Sequence, residues 1–490
     1  MKNLIKINGT LKASTSTFSG MFRNCSSLLE IRYLNVDKTK IFGLNFNLDQ
    51  MFYNCSSLKN IDILSLFDIK VIKVISFNQM FGGCCSLINL LGIKEWNISG
   101  VSCFSNIFDG CSSLQNLEEL KYWNVSEGIN FSCMFKGCSS LHNLEGLKEW
   151  NAKKGNFSHM FEDCSSLKNI DWLKEWNVSE TESFSNMFKN CSSLQNLDGL
   201  EKWDVAKTSN FSNMFEGCSS LQNLDALKEW KISEGYKKNY FSNMFKGCSS
   251  LLNLEGLKNW NVYSSYFSNM FEGCSSLQNL DALKEWKVSF AKFSNMFKGC
   301  SSLQSLEGLK NWDVSESLKF SNMFEGCSSL QNLDALKEWK ISEGYVNIFF
   351  SNMFKGCSSL QNLDGLKEWK FQKRYWRTYD FSNMFEGCSS LNDLNGLKDW
   401  DVSGDYDKEC FYLFSHMFEG CSSLQNLDGL QYWNNFSSFY DNKGLEGMFK
   451  NCTFLQDING LKSWNVYKCK NFTDMFNGCT SLQNIDELRN

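Results

Sequence analysis

Carboxylates recur at one position of this 490-residue sequence. An acidic residue follows the second of two leucine-type positions in thirteen repeated stretches, as at Glu145, Asp171 and Asp198. If the stretches stack in register, these carboxylates lie side by side, and paired carboxylates can hydrolyse glycosides or bind calcium. Catalysis needs two carboxylates in different environments, whereas a uniform column interleaved with lysines offers no such asymmetry. We therefore interpret the column as a solvated surface, with a carbohydrate-active or carbohydrate-binding site as the alternative.

Seventeen of the 22 cysteines are spaced 26 to 33 residues apart. There is no C-x-x-C pair, and neither Cys133 with Cys138 nor Cys84 with Cys85 gives the four-ligand spacing of a zinc site. Neighbouring cysteines would come within disulfide range, but their number is odd and all would point into one core. We predict a buried column of reduced thiols, the cysteine ladder, because free cysteine packs as a small hydrophobic residue. The ladder is Cys25, Cys55, Cys84, Cys111, Cys138, Cys164, Cys191, Cys218, Cys248, Cys274, Cys300, Cys327, Cys357, Cys388, Cys421, Cys452 and Cys479.

The three histidines give no catalytic set. His142 replaces a glutamine of the repeat, and His159 and His416 each replace an asparagine. No Ser/His/Asp or Cys/His arrangement can be assembled around them from the sequence. The sequence therefore predicts a protein that is not an enzyme, with no catalytic residues, no metal site and no cofactor.

The repeat that positions these residues predicts the fold. In residues 211–240, Phe211, Met214, Phe215 and Cys218 have the i, i+3, i+4, i+7 spacing of one helix face, which predicts a short helix of about two turns. The residue before each ladder cysteine is Gly, Asn or Asp, so we expect positive φ there. The following Leu-Gln-Asn-Leu-Asp stretch is predicted to be a strand that pairs in parallel with its neighbours. We predict an α/β repeat, a leucine-rich-repeat-like solenoid of about 17 coils with one short parallel strand and one short helix per coil.

Composition and chain ends suggest one architecture. Proline is absent and the net charge is −5, which argues against Pro-rich linkers and against binding to nucleic acid. No stretch reaches the roughly 18 apolar residues of a membrane helix, so we expect no membrane insertion. We predict an N-terminal cap in residues 1–17 and one continuous solenoid over 18–490 with no distinct C-terminal cap. At the uncapped end, a frayed last coil, self-association and a truncated chain remain alternatives.

Two polar columns are predicted to support the stacking. The residue two before the cysteine alternates between Lys and Glu over ten repeats, from Lys136 and Glu162 to Lys355 and Glu386, which favours ion pairs between coils. Asparagine precedes the second leucine in thirteen repeats, Asn196 among them. We expect these amides to satisfy backbone groups of neighbouring coils and to be scaffold rather than ligands.

The repeated motif has a counterpart in a known family. The pattern F-x-x-M-F-x-G-C-S-S-L, as in residues 131–141, followed by L-x-x-L-x-x-W-N-V-S, resembles the BspA-like leucine-rich-repeat surface proteins, in the branch described as a domain of unknown function. The resemblance implies surface display, adhesion and binding to host or neighbouring-cell surface proteins, with no catalytic residues. Surface members usually carry an export signal, which the start of this sequence lacks. The free cysteines favour the cytoplasm, so the location stays open.

Length variation falls almost wholly between the Trp of one coil and the next Phe, in segments rich in aromatic residues. Loops on one face of a rigid scaffold are where repeat proteins bind partners, and Tyr, Trp and Arg dominate interface hot spots. We therefore predict a protein-binding or adhesion scaffold. A self-assembling structural rod is a further alternative, and folding of these aromatics over the core edge is the alternative for the site. The predicted partner-binding residues are Lys373, Arg374, Tyr375, Trp376, Arg377, Tyr379, Tyr406, Tyr412 and Tyr440. Weaker extensions of this surface are Tyr236, Tyr240, Tyr263, Tyr266 and Tyr345.

Overall fold

A computed structural model shows how the repeats fold. It describes residues 6–11, 17–36, 45–61, 73–94, 96, 98–232, 238–263, 265–289, 291–341, 347–372, 377–402, 411–433, 444–467 and 469–483. The chain divides into two compact units, residues 1–237 and 238–490. Within each unit the coils follow one another as a solenoid, which confirms the predicted fold class. The continuity of the solenoid over 18–490 stays a prediction.

The first segment of each coil is a run of turns rather than the predicted two-turn helix. Asn213 and Gly217 have φ of 58° and 75°, so the chain leaves the right-handed helical region twice within five residues. The N–H groups of Met214 and Cys218 bond three residues back, to the carbonyls of Phe211 and Phe215. Left-handed residues at the third position are what type II turns require. Positive φ before the ladder cysteine was predicted and occurs in all seventeen repeats.

The amides not used within these turns join successive coils. The N–H groups of Asn186 and Phe188 donate to the carbonyls of Ser212 and Met214, one coil later, at 3.0 and 2.9 Å. The same pattern recurs in the second unit, where Asn295 and Phe297 donate to the next coil at 3.0 and 2.9 Å. Each turn segment therefore satisfies about half of its N–H groups through a neighbouring coil, which is why a single coil could not be stable alone.

Parallel pairing occurs at two places in the coil. The predicted place, the Leu-Gln-Asn-Leu-Asp stretch, pairs in the first unit, where residues 6–11 join 30–36 and isolated bridges join Glu30 to Asn60 and Asn116 to Asn143. The second place was not predicted and centres on the residue just before the first Phe of the motif, such as Asn130, Ser183 and Lys292. The strands are β1 (Lys6–Leu11), β2 (Glu30–Val36), β3 (Asn45–Asn47), β4 (Lys73–Ser76), β5 (Ile348–Phe349), β6 (Thr378–Asp380) and β7 (Phe411–Leu413). Pairing joins β1 to β2, β3 to β4, and β5 to β6 to β7.

The helical element of most described coils is a short 3-10 helix that usually starts at the acidic column. In the first unit these helices are Leu91–Ile93, Glu118–Tyr122, Glu145–Leu147, Asp171–Leu173, Asp198–Leu200 and Asp225–Leu227. In the second they are Glu255–Leu257, Asp281–Leu283, Glu307–Leu309, Asp334–Leu336, Asp364–Leu366, Asn395–Leu397, Asp428–Leu430 and Asn459–Leu461. The spacing of three in the leucines therefore reflects turns and a 3-10 helix, whose period is three.

Columns of identical side chains fill the core. The rings of Phe297 and Phe324 stack with centroids 5.7 Å apart, and Trp286 and Trp312 stack at 6.2 Å. The indole N–H of Trp312 donates to the carbonyl of Leu283 in the preceding coil at 3.0 Å, so the tryptophans also satisfy the ends of the 3-10 helices. Stacking in register brings together the alternating charges, as predicted. Lys–Glu pairs join adjacent coils at Lys136–Glu162, Lys189–Glu216, Lys246–Glu272, Lys298–Glu325 and Lys355–Glu386, with N···O distances of 2.8 to 3.1 Å.

Candidate partner-binding face

The acidic column is a uniform exposed surface. Asp171, Asp198 and Asp225 each begin a 3-10 helix in successive coils. Burial and the neighbouring carboxylates of Asp171, Glu201 and Asp225 raise the pKa of Asp198. Cross-coil ion pairs flank the column, Lys174 with Glu201 at 3.1 Å and Lys202 with Glu175 at 2.6 Å. Within the described residues no group of three or more His, Cys, Asp or Glu is placed to hold a metal ion.

The asparagine column supports the acidic column from within the same coil. The side-chain oxygen of Asn223 accepts the backbone N–H of Asp225 at 3.2 Å, and Asn332 does the same for Asp334 at 3.3 Å. These amides therefore form local side-chain-to-backbone turns that lead into the 3-10 helices. The scaffold role was predicted correctly, but these bonds stay within one coil and do not reach the next.

The cysteine ladder is free of disulfides and buried except at Cys479, which is half-buried, and it has a polar role that the sequence did not predict. The thiol of Cys218 lies 3.2 Å from the carbonyl oxygen of Phe188 in the preceding coil, and at least fifteen ladder thiols have such a partner. Burial raises the pKa of Cys300 and Cys357 to about 12. Because the thiolate is the reactive form, these cysteines are poor nucleophiles and poor metal ligands.

Two histidines are held in scaffold contacts. His159 has a φ of 61° and its Nδ1 lies 2.7 Å from the carboxylate of Glu162, which also pairs with Lys136 at 2.9 Å. Burial opposes ionisation of Glu162, but hydrogen bonds from Lys136 and His159 outweigh it and lower the pKa of this carboxyl. His416 contacts Glu419 in the same way at 2.7 Å. Both histidines therefore do what the asparagine of that position does elsewhere, which is to adopt a left-handed backbone in a turn.

Three of the predicted partner-binding residues are buried. Arg377, Tyr379 and Tyr412 are at most 2 % exposed. Nη1 of Arg377 donates to the hydroxyl of Tyr379 at 2.8 Å, and that hydroxyl donates to the carbonyl of Gln372 at 3.1 Å. The rings of Tyr379 and Tyr412 stack with centroids 5.2 Å apart. These side chains hold the connecting segment onto the core, which was the alternative for the site, and they do not themselves present a contact surface.

Phe371 explains why this segment packs inward. Its ring lies edge-on to Trp400 at 4.8 Å and to Tyr379 at 5.2 Å between centroids. The sequence carries a signal for this, because Tyr379 and Tyr412 each lie two residues before a core Phe and alternate side chains of a strand share a face. The other six predicted residues, Lys373, Arg374, Tyr375, Trp376, Tyr406 and Tyr440, lie outside the described residues.

The surface beside the strands is formed by two side chains per coil, one before and one after the buried first Phe. We call this surface the strand face. In the first unit it presents small polar residues before the Phe, namely Asn130, Asn156, Ser183 and Asn210. In the second unit the same position holds Tyr240, Tyr266, Lys292, Lys319 and Phe349, which parallel bridges place side by side. The residue after the Phe is in most coils a serine. The variable residue before the Phe is the signal by which the sequence could have identified this face.

A groove of about 640 Å³ opens in the first unit beside the strand face. Ile129, at its edge, is 60 % exposed. Glu180, on its wall, pairs with Lys153 at 2.7 Å and with Lys154 at 3.3 Å. Connecting segments of four successive coils line it, including Ile129, Lys154, Asn156, Glu180, Ser183 and Lys207. The groove therefore offers mixed charge, hydroxyls and one apolar side chain.

In the second unit the strand face carries an aromatic and basic cluster. We call Lys238, Tyr240, Tyr266, Lys292 and Lys319 the tyrosine–lysine strip. The rings of Tyr240 and Tyr266 stack with centroids 5.2 Å apart. The amine of Lys238 donates to the hydroxyl of Tyr266 at 3.1 Å, and the amine of Lys292 lies 4.6 Å from the centre of the same ring. The hydrogen bond from Lys238 lowers the pKa of Tyr266, with the charge of Lys292 acting in the same direction.

Sequence comparison decides the family. A family model described as "Mycoplasma protein of unknown function, DUF285" matches residues 46–172, 155–286, 239–369 and 379–489. These segments cover most of the chain. The chain belongs to the DUF285 family. This confirms the predicted membership of the BspA-like repeat proteins in their branch of unknown function.

Solved structures similar to this DUF285 chain are leucine-rich-repeat proteins at low sequence identity. A leucine-rich repeat protein from Bacteroides ovatus is 16 % identical over 87 % of this chain and 86 % of its own, with a TM-score of 0.36. A leucine rich cell surface protein from Faecalibacterium prausnitzii is 12 % identical over 99 % of this chain and 90 % of its own, with a TM-score of 0.22. The sequence matches none of the curated proteins with which it was compared.

The DUF285 matches include some of the candidate residues and leave others in a gap between matched segments. Each matched segment holds four or five ladder cysteines, so one family unit here corresponds to four or five coils. Residues 370–378 fall between two matched segments and contain Lys373, Arg374, Tyr375, Trp376 and Arg377. None of the helices in the described residues is long and apolar enough to cross a membrane.

Proposed function

We propose that this chain is a non-enzymatic protein-binding scaffold that recognises its partner through the strand face and the adjoining connecting segments. The proposal gives the constant part of each coil a structural role and the variable part the role of recognition. Rigid scaffolds that carry variable residues on one face are the usual way in which repeat proteins bind partners.

One observation carries the proposal. Residues 212–236 and 321–345 are identical over twenty-five residues, including exposed positions such as Lys228 and Glu229 and their equivalents Lys337 and Glu338. The two copies differ at the strand face, where Asn210 precedes the first Phe in one and Lys319 in the other. Duplication has therefore left these twenty-five residues unchanged, while the preceding connecting segment and the variable position of the strand face at its end have diverged, as expected if those positions determine what is bound.

The connecting segments complete the proposed surface. Arg374 and Trp376 come three residues and one residue before Arg377 in the sequence. Arg377 is buried, and β6 follows at Thr378. Trp and Arg are the residue types that most often dominate interfaces. We include Lys373, Arg374, Tyr375, Trp376, Tyr406 and Tyr440 in the surface. The finer proposal, from the family resemblance, is adhesion to a protein of a host or neighbouring cell.

Two matched variants test the proposed function. The first changes the strand face of the full chain by Asn210→Glu, Tyr240→Ser and Lys319→Ser. The second makes a comparable change on the unvaried surface by Asn223→Ser, Lys228→Glu and Lys337→Ser. Partners captured by chemical cross-linking from native cells and identified by mass spectrometry are then produced pure, and their dissociation constants are measured for each variant.

We expect the strand-face variant to bind a captured partner at least about tenfold more weakly than the parent protein, because hot spots concentrate in few residues. The control variant should stay within about twofold. Equal affinity of the parent and strand-face variant for every captured partner would contradict the proposed function, as would turnover of a glycan that depends on the acidic column.

A further inference from the structure

We infer that the tyrosine–lysine strip binds an extended acidic segment of a partner protein. The inference rests on the proposed function and adds the chemistry of the partner. It concerns residues 238–319 of the second unit.

The backbone sets the spacing of the strip. Parallel bridges join Tyr240 to Tyr266, Tyr266 to Lys292 and Lys292 to Lys319, so the four side chains lie in neighbouring coils at the spacing of a sheet, about 4.8 Å. Lys238 joins the same row because its amine reaches across to Tyr266 in the next coil. The strip thus spans about 14 Å, the length of four or five residues of extended peptide.

The charge of the strip is not neutralised by the described part of the chain. Lys246 and Lys298, six residues beyond Tyr240 and Lys292 in the same coils, pair with glutamates at 3.0 and 2.9 Å. Lys238, Lys292 and Lys319 have no carboxylate within 4.0 Å among the described residues. The next position on the strand face is serine in each of these coils, Ser242, Ser268, Ser294 and Ser321. Within the described part of the chain the strip is therefore a patch of positive charge without a carboxylate partner, on a protein whose net charge is −5.

The exposed tyrosines of the second unit favour a peptide over other anionic partners. Tyr240 is 44 % exposed and Tyr263, on the connecting segment beside it, is 52 % exposed. Exposed tyrosines contribute to protein interfaces because a large rigid ring loses little entropy on binding. A nucleic acid or a long anionic glycan gains affinity by neutralising many charges, and three lysines on an acidic chain provide few. A short acidic peptide with apolar side chains between its carboxylates matches both the lysines and the rings.

Fluorescence anisotropy on the full chain tests the inference. The probe is a labelled peptide of about twelve residues in which Glu alternates with Tyr and Thr, and a peptide with Lys in place of Glu is the control. A heparin octasaccharide and a thymidine dodecamer represent the other anions. We expect only the acidic peptide to bind measurably, with affinity falling at least about tenfold between 50 and 500 mM NaCl because exposed charges are screened.

Matched lysine variants locate the site. Lys238→Gln with Lys292→Gln and Lys319→Gln should weaken binding of the acidic peptide at least about tenfold, whereas Lys246→Gln with Lys298→Gln and Lys355→Gln should change it less than about threefold, because those amines are already paired. Restoring charge with Arg at 238, 292 and 319 should recover most of the affinity.

Equal weakening by both triple variants, absence of peptide binding, or tighter binding of the octasaccharide or DNA would each overturn the inference. None of these outcomes bears on the proposed function, which is tested by partners captured from cells and by changes across both units. Conversely, the strip could bind the acidic peptide while the captured partners bind the strand-face variant as tightly as the parent protein. That result would refute the proposed function alone.

Discussion

The thiol of Cys300 donates a hydrogen bond to the carbonyl oxygen of Phe271 in the preceding coil, with sulfur and oxygen 3.3 Å apart. The same oxygen accepts the backbone N–H of Cys274 in its own coil at 3.1 Å. The cysteine therefore satisfies the second lone pair of a buried carbonyl while it fills space in the core. This dual role explains why the position is constant, since a purely apolar residue of similar size would supply only the packing.

Removing this thiol should destabilise the chain. Cys300→Ala loses one hydrogen bond and leaves a small cavity, so we expect a loss of about 1–3 kcal/mol in the free energy of unfolding, measured by urea denaturation. The control is Cys85→Ala, because Cys85 is exposed and should leave stability within about 0.5 kcal/mol. Equal stability of Cys300→Ala and the parent protein would show that the S–H···O contact contributes nothing.

The ladder also predicts how stability depends on pH. Burial raises the pKa of Cys300 and Cys357 from an ordinary 9.0 to about 12. Between these values the unfolded chain has lost thiol protons that the folded chain keeps, so the stabilisation is complete below pH 9 and declines as pH rises toward 12. We expect the urea midpoint to fall from pH 8 to pH 10.5. Lysine and tyrosine side chains titrate in the same pH range, so the contribution of the thiols has to be isolated by substitution. When Cys300 and Cys357 are both replaced by Ala, we expect the urea midpoint to fall less steeply with pH. The same pH dependence in this variant and the parent protein would refute the linkage.

A glycine in the 3-10 helices marks where coils touch. A Cβ added to Gly308 would overlap the carbonyl oxygen of Leu280, whereas Ala335 occupies the same position one coil later and is accommodated. Gly308→Ala should therefore force the coils apart and lower the free energy of unfolding by about 1–3 kcal/mol. Ala335→Gly, the reverse change, should lower it by at most about 1 kcal/mol. Similar melting temperatures for Gly308→Ala and Ala335→Gly would contradict this contact.

The sequence predicted the solenoid but not the course of its chain within a coil. The i, i+3, i+4, i+7 spacing of Phe211, Met214, Phe215 and Cys218 fits two consecutive turns as well as a helix, because both direct these side chains inward. Positive φ occurs at Asn213 as well as at Gly217. The column of Asn213 was not recognised because other repeats place Gln50, Cys133 or His159 there, residues that do not suggest a left-handed backbone.

The candidate site was harder to predict than the fold for a physical reason. Aromatic side chains in a long connecting segment gain free energy either by packing on the core or by binding a partner, and composition does not separate the two. The alternation of side chains along a strand does distinguish the buried from the exposed residues. Arg377 and Tyr379 lie on the same face of the strand as the core residue Phe381 and are buried, whereas Thr378 and Asp380 lie on the opposite face and are half-exposed.

In the segment that precedes β6, we expect one residue to contribute to stability and two to contribute to partner binding. Arg377→Ala removes a buried hydrogen bond to Tyr379 and should lower the melting temperature. Arg374→Ala and Trp376→Ala should leave the melting temperature within about 1 °C and instead weaken partner binding at least about tenfold, as expected for interface hot spots. Differential scanning fluorimetry and titration with a captured partner measure the two effects separately. Loss of stability in Trp376→Ala would place that side chain with Phe371 in the core, and unchanged affinity in both Arg374→Ala and Trp376→Ala would remove this segment from the binding surface.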